Sequence, residues 1–213
     1  MTSITSSPPA AAPGIAAPLP LPADAGRVLL AEARAALAAQ LGQAAAPAAG
    51  AAWLQQEAAT HVTLTLDGKL RGAAGTPQTR QALCHNLRHN AVTAACKDPR
   101  FSAVSRGELA ALRIEVSLLS PLEIITWRDE ADALAQLRPG IDGVVIEYGH
   151  HRNLFLPQMW REFPDAALFV GNLKYKGGLP PDFWDATLTL QRFTAQVWCE
   201  EADPVQPGAA PRV

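Results

Sequence analysis

Apolar and polar residues alternate along two stretches of this chain. In His61-Val62-Thr63-Leu64-Thr65-Leu66 every second residue is apolar, and the same holds from Leu112 to Leu119. Because successive side chains of a strand point to opposite faces, both stretches are predicted to be half-buried β-strands. Asp67-Gly68 is a hairpin signature, so Lys69 to Ala74 is predicted to return as a second strand.

Other segments repeat their apolar residues at helical spacing. A helix is predicted from Asp24 to Gly42, and a longer one from Pro77 to Lys97. The buried face of the longer helix is predicted to carry Leu83, Leu87, Ala91 and Ala94. Further helices are predicted over Glu108 to Ala111, over Asp129 to Leu137, after Pro157 and after Asp165.

Towards the end of the chain the alternation changes phase. Leu188 and Leu190 share one parity, whereas Phe193, Ala195 and Val197 share the other. Because a slip of one residue would turn the wrong face outward, we predict a β-bulge near Gln191-Arg192. Hairpins combined with mostly non-alternating helices favour an α+β fold with a mainly antiparallel sheet and flanking helices.

Composition divides the 213 residues into a central domain and two tails. Residues 1–23 and 202–213 are rich in Pro and Ala and are predicted to be flexible, because they offer little surface to bury. Residues 24–201 form the predicted domain.

Charge and cysteine content exclude several classes of function. The formal net charge is −2 and no lysine run occurs, so neither nucleic acid nor an anionic membrane is an expected partner. No apolar run approaches the ~20 residues that span a bilayer. Cys84, Cys96 and Cys199 form no CxxC pair, which favours reduced thiols in a cytoplasmic protein. Neither G-x-G-x-x-G nor a Walker lysine occurs, and we expect no cofactor.

The best candidate site is the stretch Leu70-Arg71-Gly72-Ala73-Ala74-Gly75-Thr76-Pro77, between a predicted strand and a predicted helix. Gly72 and Gly75 allow backbone or ligand to approach closely. Thr76 is a predicted N-cap, so backbone N–H groups are expected to face outward at Gly75–Thr76. The guanidinium of Arg71 suits a carboxylate or phosphate, and its alternative role is a structural ion pair with Glu115 or Asp98.

Two pairs of histidines are weaker candidates. His85 and His89 have the spacing that places two imidazoles on one helix face, but that face is predicted to be solvated and the glutamate of an H-E-x-x-H motif is missing. We therefore predict no metal site there. His150-His151 lies in a predicted hairpin turn beside Glu147 and Tyr148, with a low expectation of catalysis.

The central stretch resembles the L-R-G-C-I-G-[ST] motif of the AMMECR-type domain, known in bacteria and archaea as AmmeMemoRadiSam system protein A. Further stretches match in the same order over about residues 25–200. They are Asn90-Ala91, Asp98-Pro99-Arg100-Phe101, Ile114 to Pro121, Leu137 to Val144, Phe155 to Trp160 and Lys174 to Pro180.

This resemblance implies an α+β fold with a larger and a smaller lobe, encoded beside a Memo-like protein and a radical SAM protein. It implies no established reaction. The motif cysteine falls on Ala73 here and the motif isoleucine on Ala74. Alanine can act neither as a nucleophile nor as a soft metal ligand.

Two hypotheses for the function follow. The first is an accessory or interaction subunit of a pathway linked to Memo-like and radical SAM proteins, which presents a groove at Arg71–Thr76. The second is an enzyme or small-anion-binding protein that acts through the same groove. In both hypotheses the ligand-binding candidates are Arg71, Gly72, Gly75, Thr76 and Glu115.

Overall fold

Eight strands in two antiparallel sheets, with helices packed on them, form the part of the chain described by the computed structural model, residues 21–44 and 50–200. The helices are α1 Ala25–Gln40, α2 Leu83–Cys96, α3 Glu130–Ala135 and α4 Ala166–Lys176, with 3-10 helices at Ala52–Gln55 and Pro157–Arg161. The strands are β1 Ala59–Leu66, β2 Lys69–Gly75, β3 Leu112–Leu119, β4 Glu123–Ile125, β5 Gly143–Tyr148, β6 His151–Phe155, β7 Thr189–Phe193 and β8 Ala195–Cys199. The predicted α+β class is confirmed.

The larger lobe is a sheet of order β2-β1-β3-β8 with α1 and α2 on one face. The alternation along β1 and β3 places Val62, Leu64, Ile114 and Val116 on that face, where they are fully or almost fully buried. The predicted bounds of β3 and the predicted buried face of α2 are both confirmed. Asp67 and Gly68 have positive φ angles of 50° and 72°, as the predicted tight hairpin turn requires.

The smaller lobe is a sheet of order β4-β7-β5-β6. Its core includes Trp160, which stacks on Phe169 of α4 with ring centroids 4.0 Å apart. Asp165 caps α4 as predicted, because its side chain accepts hydrogen bonds from the backbone N–H groups of Ala167 and Leu168. In the part of the chain that the structure describes, no helix combines the length and the apolar character needed to cross a membrane.

The phase change near the end of the chain marks a passage between the two sheets. The predicted bulge at Gln191-Arg192 is wrong: β7 pairs regularly with β4 and β5, and the strand breaks at Thr194. After Thr194 the chain joins the other sheet as β8. Leu188 and Leu190 before the break face the core of the smaller lobe and the residues after it belong to the larger sheet, so the alternation changes phase without a bulge. The backbone N–H of Ser120 donates to Thr194 O (2.9 Å) at this crossing point.

Helix α2 begins six residues later than predicted, at Leu83 rather than Pro77. Strand β2 continues to Gly75, and the N–H of Thr76 donates to Thr60 O (3.1 Å), which extends the strand pairing instead of starting a helix. Thr76 is therefore not an N-cap, and its N–H is not free to face a ligand. The predicted helix at Glu108–Ala111 is also wrong, since these residues form only a turn.

The two predicted terminal tails fall largely outside the described residues, which exclude 1–20 and 201–213.

Candidate functional site

The two motif glycines of β2 each stand where a side chain would collide. A Cβ on Gly72 would lie 2.1 Å from the carbonyl oxygen of Ala94 in α2, and one on Gly75 would lie 2.4 Å from the His61 ring. Neither glycine has a positive φ angle. The glycines are thus needed for close approach, which brings helix α2 against one face of β2 and the His61 imidazole against the other.

Arg71 occupies a β-bulge. Across β1, Leu64 pairs with Gly72 and Thr65 with Leu70, which leaves Arg71 as the extra residue. Its Nε donates to Glu108 (2.7 Å) and its Nη1 donates to Ser102 O (2.8 Å). The ion pair that was one interpretation of Arg71 therefore exists, but its partner is Glu108 rather than Glu115 or Asp98.

Thr76 belongs to a buried network of polar side chains. Its hydroxyl donates to Asn90 Oδ1 (3.1 Å), and Asn90 Nδ2 donates to Thr60 O (3.0 Å). Asn86 Oδ1 accepts from the N–H and the hydroxyl of Thr60, both at 2.8 Å. Because Thr60, Asn86 and Asn90 are at most 2% exposed, these bonds fix the end of the motif against β1 and α2.

Asp98 covers the outer edge of β2. Its Oδ2 accepts a hydrogen bond from the Ala73 N–H (2.9 Å) and another from Arg100 Nη2 (2.7 Å). Hydrogen bonds from Arg100 hold the pKa of Asp98 well below its usual range. The carboxylate thus satisfies an edge N–H of the sheet and also places the half-exposed Arg100 beside Ala73.

Three basic side chains, two from the larger lobe and one from the smaller, influence one another electrostatically. We name His61, Arg100 and Lys176 the basic cluster. Burial, with the nearby charges of Lys176 and Arg100, lowers the pKa of His61 to about 4, so the imidazole is neutral at pH 7. Burial and the charge of Arg100 also lower the pKa of Lys176, whereas Asp98 acts in the opposite direction.

Lys176 is the last residue of α4 and comes from the smaller lobe. Its Nζ donates to Leu154 O (3.1 Å) and lies 5.2 Å from the centre of the Phe155 ring. No carboxylate of residues 21–44 or 50–200 lies within ion-pair distance of this ammonium group. Its close contacts are thus a backbone carbonyl and an aromatic ring, while the charge of Asp98 favours its protonated form without a direct ion pair.

A second group of polar residues lies along the same outward face of the larger sheet. Strand pairing aligns Ala73, Thr63, Glu115 and Cys199 in one row across β2, β1, β3 and β8. Glu115 accepts a hydrogen bond from Gln158 Nε2 (3.2 Å) and one from Cys199 Sγ (3.3 Å). Glu115 and Arg71 therefore have separate partners, and the structure does not bring them together.

Cys199 is a poor nucleophile although it is exposed. Loss of hydration, followed by the hydrogen bond and charge of Glu115, raises its pKa to about 11. Compared with an ordinary thiol of pKa 9.0, the thiolate population at pH 8 is lower by about two orders of magnitude.

We accordingly expect iodoacetamide to alkylate Cys199 slowly at pH 8, and we expect Glu115→Gln to accelerate the reaction about tenfold. Mass spectrometry of peptides after timed alkylation would give the rate for each cysteine. Glu162→Gln, which removes an exposed carboxylate elsewhere, is the matched control. Equal rates in wild type and Glu115→Gln would contradict the assigned influence of Glu115.

None of the four candidate histidines is a member of the basic cluster. His85 and His89 are exposed on α2, as predicted. Among the residues described by the structure, no group of three or more His, Cys, Asp or Glu side chains is placed to hold a metal ion. His150 and His151 lie at the β5–β6 turn, where His151 Nδ1 is 2.8 Å from Gly177 O, a structural contact to the end of α4.

Sequence reasoning missed the residues that carry the charge of the site. Arg100 and Lys176 lie within stretches that match the AMMECR-type pattern, Asp98-Pro99-Arg100-Phe101 and Lys174 to Pro180, so that resemblance was an available signal. His61 gave no signal because it occupies an ordinary alternating position of a strand.

Known proteins and one family model match this chain over most of its length. The AMMECR1 family model matches residues 30–198. Protein MJ0810 of Methanocaldococcus jannaschii is 40% identical over 140 residues, 65% of this chain and 69% of that protein. A protein of Methanothermobacter thermautotrophicus is 40% identical over 149 residues, 69% of this chain and 78% of that protein.

A solved structure agrees with these matches. The uncharacterized protein PH0010 from Pyrococcus horikoshii superposes with a TM-score of 0.75 and 31% identity, over 83% of this chain and 91% of that one. None of these names states a reaction. From the match of fold, sequence and family model, the chain belongs to the AMMECR1 family, whose function is uncharacterised.

Proposed function

We propose that this chain is a binding protein that holds an anionic group, a carboxylate or a phosphate, at the basic cluster. The observation that carries this proposal is the ammonium group of Lys176, which has no carboxylate within ion-pair distance in the described part of the chain. It lies close enough to Arg100 and His61 to influence the pKa of His61. An anion placed between these side chains would relieve the repulsion between the two cations.

Each member of the cluster has a different part in the proposed site. Arg100 is oriented by two bonds to Asp98, which leaves the remaining guanidinium N–H groups for a ligand. His61 is neutral and so offers one ring donor and one ring acceptor. Lys176 supplies a positive charge that no carboxylate pairs directly in the described part of the chain. Because Lys176 comes from α4 and Arg100 follows α2, a bound anion would also bridge the two lobes.

The motif residues predicted to bind the ligand then have mainly shaping roles. Gly75 gives the His61 ring its place, while Arg71, Gly72 and Thr76 fix the backbone of β2 through the contacts described above. Glu115 lies on the same outward face, but its carboxylate accepts from Gln158 and Cys199 and would repel an anion, so we leave it outside the proposed anion site.

The side chains on this face support binding better than covalent catalysis. Ala73 has no reactive group, and the pKa of the Cys199 thiol is raised. We therefore favour an accessory or interaction subunit over an enzyme. Its assignment to a pathway of Memo-like and radical SAM proteins rests on the family resemblance alone. The three free cysteines fit a reducing cytoplasm. An enzyme acting through the same anion site is the alternative, and it would need a reactive group from its substrate or from a partner protein.

Titration with inorganic phosphate tests the anion site. We expect Lys176→Gln to weaken phosphate binding about tenfold, because a charge-assisted hydrogen bond to the anion is lost. Isothermal titration calorimetry at low ionic strength would measure this. Lys69→Gln, which removes an exposed ammonium on the β1–β2 hairpin, should bind phosphate like the wild type.

Two results would count against the proposed function. Equal phosphate affinity in wild type and Lys176→Gln would remove the basic cluster as the anion site. For the accessory role, a pull-down with the Memo-like and radical SAM proteins would compare wild type with Lys176→Glu and Lys69→Glu. Retention of both variants by every partner would show that the cluster is not the partner-binding surface.

A further inference from the structure

A concave site lies between the lobes, away from the basic cluster. It is a cavity of about 640 Å³ formed by the ends of β1 and β3, the segment after the central motif and the start of β8. None of its lining residues belongs to the basic cluster. Its volume falls within the range of about 300–1,000 Å³ that small-molecule sites occupy.

Most of the cavity wall is apolar. Eight of its fourteen lining residues are Ala, Pro or Leu, among them Ala59, Pro77, Leu119 and Leu122. Ala59 and Leu119 also belong to the small apolar cluster between the two sheets. A ligand of this cavity would therefore place an apolar body against the wall, where the hydrophobic effect favours its burial.

The polar groups of the cavity are neutral with one exception. Gln78, Thr79, Ser120 and Gln196 contribute amides and hydroxyls, and Glu57 is the single charged residue among the described residues that line the cavity. Its backbone is held in place by a bridge to Ala82 and by the neighbouring bond from Leu83 N–H to Gln56 O (2.8 Å). The structure gives the exposed Glu57 carboxylate no hydrogen-bond or ion-pair partner within residues 21–44 and 50–200.

We propose that this cavity binds a small organic cation, a protonated amine attached to an apolar body. The apolar part would lie against the Leu118–Leu122 wall, and the ammonium group would pair with the Glu57 carboxylate. Two arginines near the cavity, Arg152 and Arg80, do not neutralise the Glu57 carboxylate. Arg152, which donates to Gln78 Oε1 (3.1 Å), is itself paired with Glu147 at 2.6 Å, and Arg80 does not line the cavity.

The charge preference is opposite to that of the basic cluster, which makes the two sites separable. An anion should bind at Lys176 and an amine at Glu57, so each ligand should be insensitive to substitutions at the other site. If the protein does not bind phosphate, the amine site is unaffected by that result. If it does not bind the amine, the proposed anion site is likewise unaffected.

Three matched fluorinated probes test the proposal in the full chain. They are 2-(4-fluorophenyl)ethylamine, 2-(4-fluorophenyl)ethanol and 3-(4-fluorophenyl)propionate, followed by ¹⁹F NMR line broadening. For probes with about ten non-hydrogen atoms, we expect a dissociation constant on the order of 1 mM for the amine. Affinity should fall in the order amine, alcohol, carboxylate, and added salt should weaken binding of the amine.

Two variants locate the binding. Glu57→Gln should weaken amine binding about fivefold and leave alcohol binding unchanged, because only the charge is removed. Thr79→Trp should fill the cavity and weaken both, with the melting temperature reporting that the fold is intact. Glu162→Gln is the control for loss of an exposed carboxylate. Equal binding of amine and carboxylate, no effect of Glu57→Gln, or no amine binding at about 10 mM would each overturn the proposal.

Discussion

Gly72→Ala should destabilise the protein more than Gly75→Ala, the other glycine-to-alanine change in the central motif. The new Cβ would lie 2.1 Å from the carbonyl oxygen of Ala94 and 3.1 Å from its carbonyl carbon. Both are backbone atoms of α2, so no side chain can rotate away and the helix itself would have to move. We expect a loss of roughly 3 kcal/mol or more in the free energy of unfolding, at the upper end for overpacked sites.

Urea unfolding followed by tryptophan fluorescence would measure this loss. Gly107→Ala is the matched control, because a Cβ there has no neighbour within 4 Å. At Gly75 the nearest atoms belong to the His61 side chain, with Cδ2 at 2.4 Å and Cβ at 2.9 Å. The ring can turn but the Cβ cannot, so Gly75→Ala should also destabilise the protein, by less than Gly72→Ala because no backbone atom of a helix has to move. A Gly72→Ala variant that loses under about 1 kcal/mol would show that α2 is not held against β2 as described.

Lowering the pH should destabilise the protein through His61. An imidazole that titrates near 6.5 in the unfolded chain has a pKa of about 4 in the folded one. Between those values the unfolded state binds more protons, so folding free energy is lost as the pH falls. The contribution is present in full above about pH 6.5, and about 2 kcal/mol of it should be gone at pH 4.5.

Comparison of wild type with His61→Gln isolates this effect. The variant has no titrating group at that position, so its unfolding free energy should decline less between pH 7 and pH 4.5. Asp98 and the other carboxylates titrate in both proteins and therefore cancel in the difference. His85→Gln, at an exposed position, should keep the wild-type slope. Parallel pH profiles of the unfolding free energy for wild type and His61→Gln would contradict the prediction. They would mean that the imidazole takes up its proton at the same pH in the folded protein as in the unfolded chain.

The strands could be predicted from the sequence because their information is local. Alternation defines the bounds of β3, and Asp67-Gly68 defines the turn between β1 and β2, since side-chain direction and φ angle are properties of adjacent residues. The start of α2 could not be found in this way. Thr76 and Pro77 carry the local signals of a helix start, but the bonds of Thr76 to Thr60 and Asn90 outweigh them.

The candidate site depends on contacts between distant parts of the chain. Arg71 and Glu108 are 37 residues apart, and no spacing rule distinguishes Glu108 from the other acids as a partner. The approach of Lys176 to His61 depends on how the lobes pack, which is not encoded in the pattern of either segment. Sequence alone therefore located the motif but not the charges beside it.

The crossing at Thr194 makes the smaller lobe an insertion within the larger one. The chain leaves the larger sheet after β3 and returns as β8, and the N–H of Ser120 bonds to Thr194 O at the two ends of the inserted segment. Since β3 and β8 already pair as antiparallel neighbours, a short turn could replace residues 121–193 and preserve the order of the larger sheet. The larger lobe is thus a continuous unit in space although it is interrupted in sequence. Removing the inserted segment would also remove Lys176 from the basic cluster and leave only His61 and Arg100.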